Sequence, residues 1–141
     1  MCNNPTRAPS PLERAILERF KEAQVLSKTE FTEQIAVVQI GNVSEGFIDL
    51  VVPESAPLLQ SYTGFPLNGW YQDRDGALVN LLLHATFPPG QIHELERYRI
   101  DGWPIQTPLP NPKDILVQPM PPKEWLEKPI RINPALPRRL L

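Results

Sequence analysis

Two histidines and two glutamates, His84, His93, Glu94 and Glu96, fall within thirteen residues of one another. Such groups serve two kinds of chemistry. Two histidines facing each other form half of a transition-metal site. A histidine facing a carboxylate forms a general acid/base pair. The runs that carry them, 77–85 and 91–100, read as strands joined by the turn TFPPGQ. In one antiparallel register His84 faces His93 and Leu82 faces Leu95. A slip of one residue sets His84 against Glu94 and Leu82 against Glu96. Side chains alternate between the faces of a strand, so the register decides the chemistry. The ligand set is short of a zinc site, which takes three protein ligands when catalytic and four when structural. The expectation is therefore no bound metal and no cofactor, with both histidines partly solvated near the hairpin end.

Other motifs are weaker. Asp73, Asp75 and Gly76 resemble the start of a calcium loop, but the twelfth position, where a bidentate glutamate belongs, is His84. An Asp-Gly turn feeding a strand accounts for them better. Cys2 is the single cysteine. If Met1 is removed, its own amine could activate the thiol. Residues 1–9, however, read as a flexible lead-in, and a catalytic role is not expected. Large rings lie in or beside loops at Trp70, Tyr71, Trp103 and Tyr62, the kind of placement that marks recognition surfaces, unless Trp70 and Trp103 cap the two ends of the sheet as core. In PPKEWLEKP, Pro122 starts and Pro129 stops a single helical turn that carries Trp125 and Leu126. Those two side chains must dock on the body, on a second subunit or on a partner.

The elements that position these residues are legible in outline. Ser10, Pro11 and Glu13 form a capping box, and Leu12, Ile16, Phe20 and Ala23 follow on one apolar stripe, predicting a helix over about 11–24. Ser27 and Glu30 suggest a second, short helix over about 28–34. QIAVVQI and GFIDLVV read as a hairpin of two strands joined by NVSEG. Residues 53–69 read as a loop-rich middle. With 77–85 and 91–100 this gives an α+β fold: an N-terminal helix packed on a four-stranded, mainly antiparallel sheet.

Ten of the 18 prolines fall in residues 103–141. This stretch reads as an extended arm outside the body, residues 10–102. It bears a net +3 against −5 for the rest of the chain. Its regularly spaced apolar residues predict an ordered arm, packed on the body or on a partner subunit, with an edge strand at 115–117.

The layout resembles a family of small bacterial α+β proteins of unknown function. The pattern is D-x-D-G-x-x-V, then G-x-x-x-E-L-E, then D-G-x-P-I. Here it is carried by Asp73, Asp75, Gly76 and Val79, by Gly90, Glu94, Leu95 and Glu96, and by Asp101, Gly102, Pro104 and Ile105. The resemblance covers roughly residues 12–105 and implies no catalytic residue. Some similar proteins are immunity or accessory proteins, which implies protein binding.

A net charge of −2 gives no basic field for nucleic acid or anionic membrane. No run is apolar enough to span a bilayer, and no leader is visible. With one cysteine and no leader, a cytoplasmic location is expected. The sequence thus predicts a non-enzymatic protein-binding or regulatory module, with an unknown protein or a second copy as partner. Its contact residues would be Trp103, Trp125, Leu126, Trp70 and Tyr71. The alternative is a small enzyme or ligand-binding domain centred on His84, His93, Glu94 and Glu96.

Overall fold

The structure, a computed structural model, describes residues 5–127. Its first helix, α1 (Pro11–Arg19), begins as the sequence dictates. The Ser10 side chain accepts from the Glu13 N–H and Glu13 accepts from the Ser10 N–H. Glu13 also receives both terminal nitrogens of Arg7 at 2.7 and 2.9 Å. A 3-10 turn (Phe20–Glu22) extends the helix. The second helix, α2 (Lys28–Val37), is longer than predicted and takes in most of the QIAVVQI run. Phe31, Gln34 and Ile35 lie on one helical face and are fully buried, so packing overrides the strand preference of the β-branched residues.

Six strands follow: β1 (Gln39–Val43), β2 (Phe47–Val51), β3 (Leu67–Gln72), β4 (Leu78–Thr86), β5 (Gln91–Arg99) and β6 (Leu116–Val117). They form one sheet in the order β1-β2-β5-β4-β3-β6, antiparallel throughout. The expected four strands are therefore six among the described residues. β3 begins at the end of the segment read as loop and runs three residues past it, and the arm contributes β6, the edge strand expected within 115–117. Gly69 explains why β3 is hard to read. A Cβ there would lie 3.2 Å from the Phe20 ring and 3.3 Å from Ile115, so a residue that weakens strands is needed for close packing.

The sheet has two unlike faces. Ile48, Leu50, Leu67, Tyr71, Val79, Leu81, Leu83, Ile92 and Leu95 join Ile16, Leu17, Phe20, Phe31 and Ile35 in one core. The helices cover this face. The opposite face carries the alternate residues of each strand.

The described part of the arm is built into the fold. Ile115 is fully buried, and the Arg19 guanidinium donates to its carbonyl. Asp73 accepts from the Gln106 N–H (2.7 Å), the Thr107 N–H (2.9 Å) and the Thr107 hydroxyl (2.7 Å). Residues 128–141 lie outside the described residues, and so does Cys2, with the roles considered for it. The lead-in expected to be flexible is held at Arg7, which exchanges two backbone hydrogen bonds with Ile40.

Candidate functional site

The register of β4 and β5 settles which pairing occurs. His84 stands opposite Glu94 and Leu82 opposite Glu96, so histidine meets carboxylate. His84 Nε2 lies 2.9 Å from Glu96 Oε1 on the diagonal. At the next step the register shifts, and Ala85 pairs with Ile92. His93 is the extra residue of this bulge and is exposed. Its ring centroid is 6.1 Å from that of His84. The bulge lets Ile92 and Leu95, three residues apart, both enter the core.

Gln34 holds the bulge from below. Its side-chain oxygen accepts from the Ile92 N–H at 3.0 Å, and its amide donates to Gly90 O (2.9 Å) and Pro57 O (2.8 Å). Gly90 sits at φ +106 with Leu59 backbone so close that a Cβ would lie 2.4 Å from its carbonyl oxygen. A buried glutamine with all its partners satisfied fixes the turn that leads into His93 and Glu94. The sequence reading gave Gln34 no role, because its partners are 23 to 58 residues away.

The cluster continues onto β2. Asp49 stands directly opposite Glu94, and Phe47 opposite Glu96. Asp49, Glu94, Glu96 and His84 therefore share the face away from the helices. No strand position beside them on this face is Lys or Arg: Phe47, Val51, Leu82 and Tyr98 are the neighbours. Arg97 and Arg99 point to the core side, where Arg97 donates to the Tyr71 hydroxyl and to Thr107 O. Like charges placed directly across a strand pair repel, so the Asp49–Glu94 pair is a local cost that a cation would relieve. Burial, with the Glu96 charge beside it, raises the Tyr98 hydroxyl above its ordinary range.

This face is open where it carries the carboxylates. Phe47, Val51 and Tyr98 are each 43% exposed, while His84 and Glu96 keep a little over a quarter of their side-chain surface in solvent. A crevice of about 90 Å³ lies near the β1–β2 turn, lined by Glu13, Phe47, Leu95, Arg97 and Leu109 among others. None of His84, His93, Glu94 or Glu96 lines it.

The aromatic candidates divide. Tyr71 is in the core, and burial raises its hydroxyl above the ordinary range even though Arg97 lowers it. Trp70 is buried as well, with its indole N–H donating to Gln118 O at 3.0 Å. Both rings serve the fold, and neither offers a contact surface. Trp103 and Leu126 are exposed and Trp125 is half-buried.

The DxDG and DG motifs meet in a structural clamp. Arg99 bridges Asp73 (3.1 Å), Asp75 (3.1 Å) and Asp101 (2.6 Å), with its side chain 4% exposed. Burial alone would raise the Asp73 carboxyl. The donors from Gln106, Thr107 and Arg74 outweigh it and hold the group down at about 2. The aspartates are spent on this guanidinium and on the arm.

Among protein-family models, curated proteins and solved structures, none matches the chain. No helix among the described residues is long and apolar enough to cross a membrane.

Proposed function

We propose that the chain is a non-enzymatic protein-binding module, and that its contact surface is the open face of the sheet over β2 and β5. One observation carries the reading. Three exposed apolar side chains, Phe47, Val51 and Tyr98, surround three carboxylates, Asp49, Glu94 and Glu96, with no basic residue at the neighbouring strand positions. Apolar anchors beside carboxylates with no lysine or arginine at the adjoining described strand positions suit a partner segment that presents lysine or arginine next to aromatic or branched aliphatic residues. A second copy using the same face would set carboxylates against carboxylates, which disfavours that arrangement. The resemblance to small bacterial α+β proteins of unknown function, some of whose like are immunity or accessory proteins, leans the same way. Trp103, Trp125 and Leu126 remain candidates for a second contact.

The acid/base alternative has one point in its favour, the 2.9 Å approach of His84 to Glu96. The crevice near the β1–β2 turn is lined by neither side chain, and catalytic pairs depend on exclusion of water for much of their effect.

The test is selection from a displayed peptide library against the intact protein, with the double variant Asp49→Lys/Glu94→Lys as counter-target. Enriched peptides should combine Lys or Arg with aromatic or aliphatic residues, and should fail to bind the double variant. Peptides without basic residues, or equal binding to both proteins, would overturn the proposal.

A further inference from the structure

We infer that His84, Glu94 and Glu96 form a binding site for a divalent first-row transition cation. One ligand atom from each lies within 4.8 Å of the others, and the three side chains stand on a paired strand ladder rather than on loops. The His84 Nε2 to Glu96 Oε1 spacing is 2.9 Å. A metal about 2.1 Å from each of two ligands at a right angle requires a spacing of about 3.0 Å, and a tetrahedral metal about 3.4 Å. The pair thus already stands at the separation of adjacent octahedral ligands. A Glu94 carboxylate oxygen lies within 4.8 Å of both.

The surroundings favour a cation. Asp49 faces Glu94 directly, so a third carboxylate adds charge without a lysine or arginine at the flanking strand positions to cancel it. The ligand set is one imidazole nitrogen and two carboxylate oxygens. Imidazole selects against Mg²⁺ and Ca²⁺, which take oxygen ligands, and favours Zn²⁺, Mn²⁺, Fe²⁺ or Co²⁺. Three protein ligands leave open positions for water or a ligand group. Gln34 and the bulge act as positioning elements, because they set where β5 delivers Glu94.

The inference does not depend on the partner reading, since it is tested with the cation alone. Zn²⁺ and Co²⁺ are titrated into the full chain carrying Cys2→Ser, which removes the one thiol that could compete. Calorimetry follows Zn²⁺, and visible absorption follows Co²⁺. One equivalent should bind, with Mg²⁺ and Ca²⁺ binding at least about 10-fold more weakly. His84→Ala and the double variant Glu94→Gln/Glu96→Gln should each weaken Zn²⁺ by about 10-fold or more, and His93→Ala by little. His93 is exposed and the other three side chains are half-buried, so the melting temperature checks that each variant is folded. No saturable binding, binding unchanged by His84→Ala, or equal binding of Ca²⁺ and Zn²⁺ would each overturn the site.

Discussion

Asp49 on β2 and Glu94 on β5 face each other directly across the strand pair, two carboxylates in register on the open face of the sheet. Folding places them there because Ile48 and Leu95, their neighbours in the chain, pair with each other in the core. The apolar alternation that builds the interior thereby concentrates charge on the exterior. Replacing Asp49 by Asn should stabilise the isolated protein by up to about 1 kcal/mol, measured by urea denaturation, because it removes a like-charge pair. A loss of stability would mean that Asp49 has a favourable partner.

Asp73 behaves in the opposite way. Its side chain is fully buried and holds both Arg99 and the arm. Asp73→Ala should cost about 3–5 kcal/mol, the usual penalty for removing one partner of a buried ion pair. The midpoint of chemical unfolding reports it, and a loss under 1 kcal/mol would contradict the clamp.

The same carboxylate predicts an acid limb. Its ordinary value of 3.8 falls to about 2 in the folded chain. Folding therefore favours the ionised form. That contribution, about 2 kcal/mol, is complete only above about pH 5 and is lost as pH falls towards about 2. Glu13, held by Arg7 down to about 2 from 4.5, adds in the same window and direction. Stability measured between pH 5 and pH 2 should fall steeply, and Asp73→Asn should flatten the slope. An unchanged slope in that variant would assign the acid sensitivity elsewhere.

Gln34→Leu tests the support beneath the bulge. It removes the acceptor for the Ile92 N–H and the donor to the Gly90 and Pro57 carbonyls, at a cost of about 2–4 kcal/mol. Amide exchange at Ile92 should accelerate beyond the global change. Protection equal to wild type would show that the bulge holds itself.

Much of this was legible before folding was considered. The Ser10–Glu13 box, β2 and the β4–β5 hairpin follow from local pattern, whereas the first strand of the β1–β2 hairpin was read several residues too early, over a run that α2 takes. The one-residue choice between His84–His93 and His84–Glu94 was not legible, because both registers bury a leucine ladder. β3 escaped notice because Asn68 and Gly69 are poor strand formers, and the reason for Gly69 lies in Phe20 and Ile115, distant in sequence. Asp49 escaped for a similar cause: its significance comes from β5 lying beside β2, a pairing across more than forty residues. Trp70 and Tyr71 were open to a surface reading because the strand that carries them, β3, was not recognised between the loop 53–69 and the Asp75-Gly76 turn.

The central claim is that the face over β2 and β5 receives a basic, apolar partner segment. The most direct measurement is amide chemical-shift mapping on the isotope-labelled protein, titrated with a peptide selected as above. The largest shifts should fall at Phe47, Asp49, Val51, Glu94, Glu96 and Tyr98, and Phe47→Ala should weaken binding by about 10-fold or more. Shifts centred on Trp103, Trp125 and Leu126, with β2 and β5 unmoved, would contradict it.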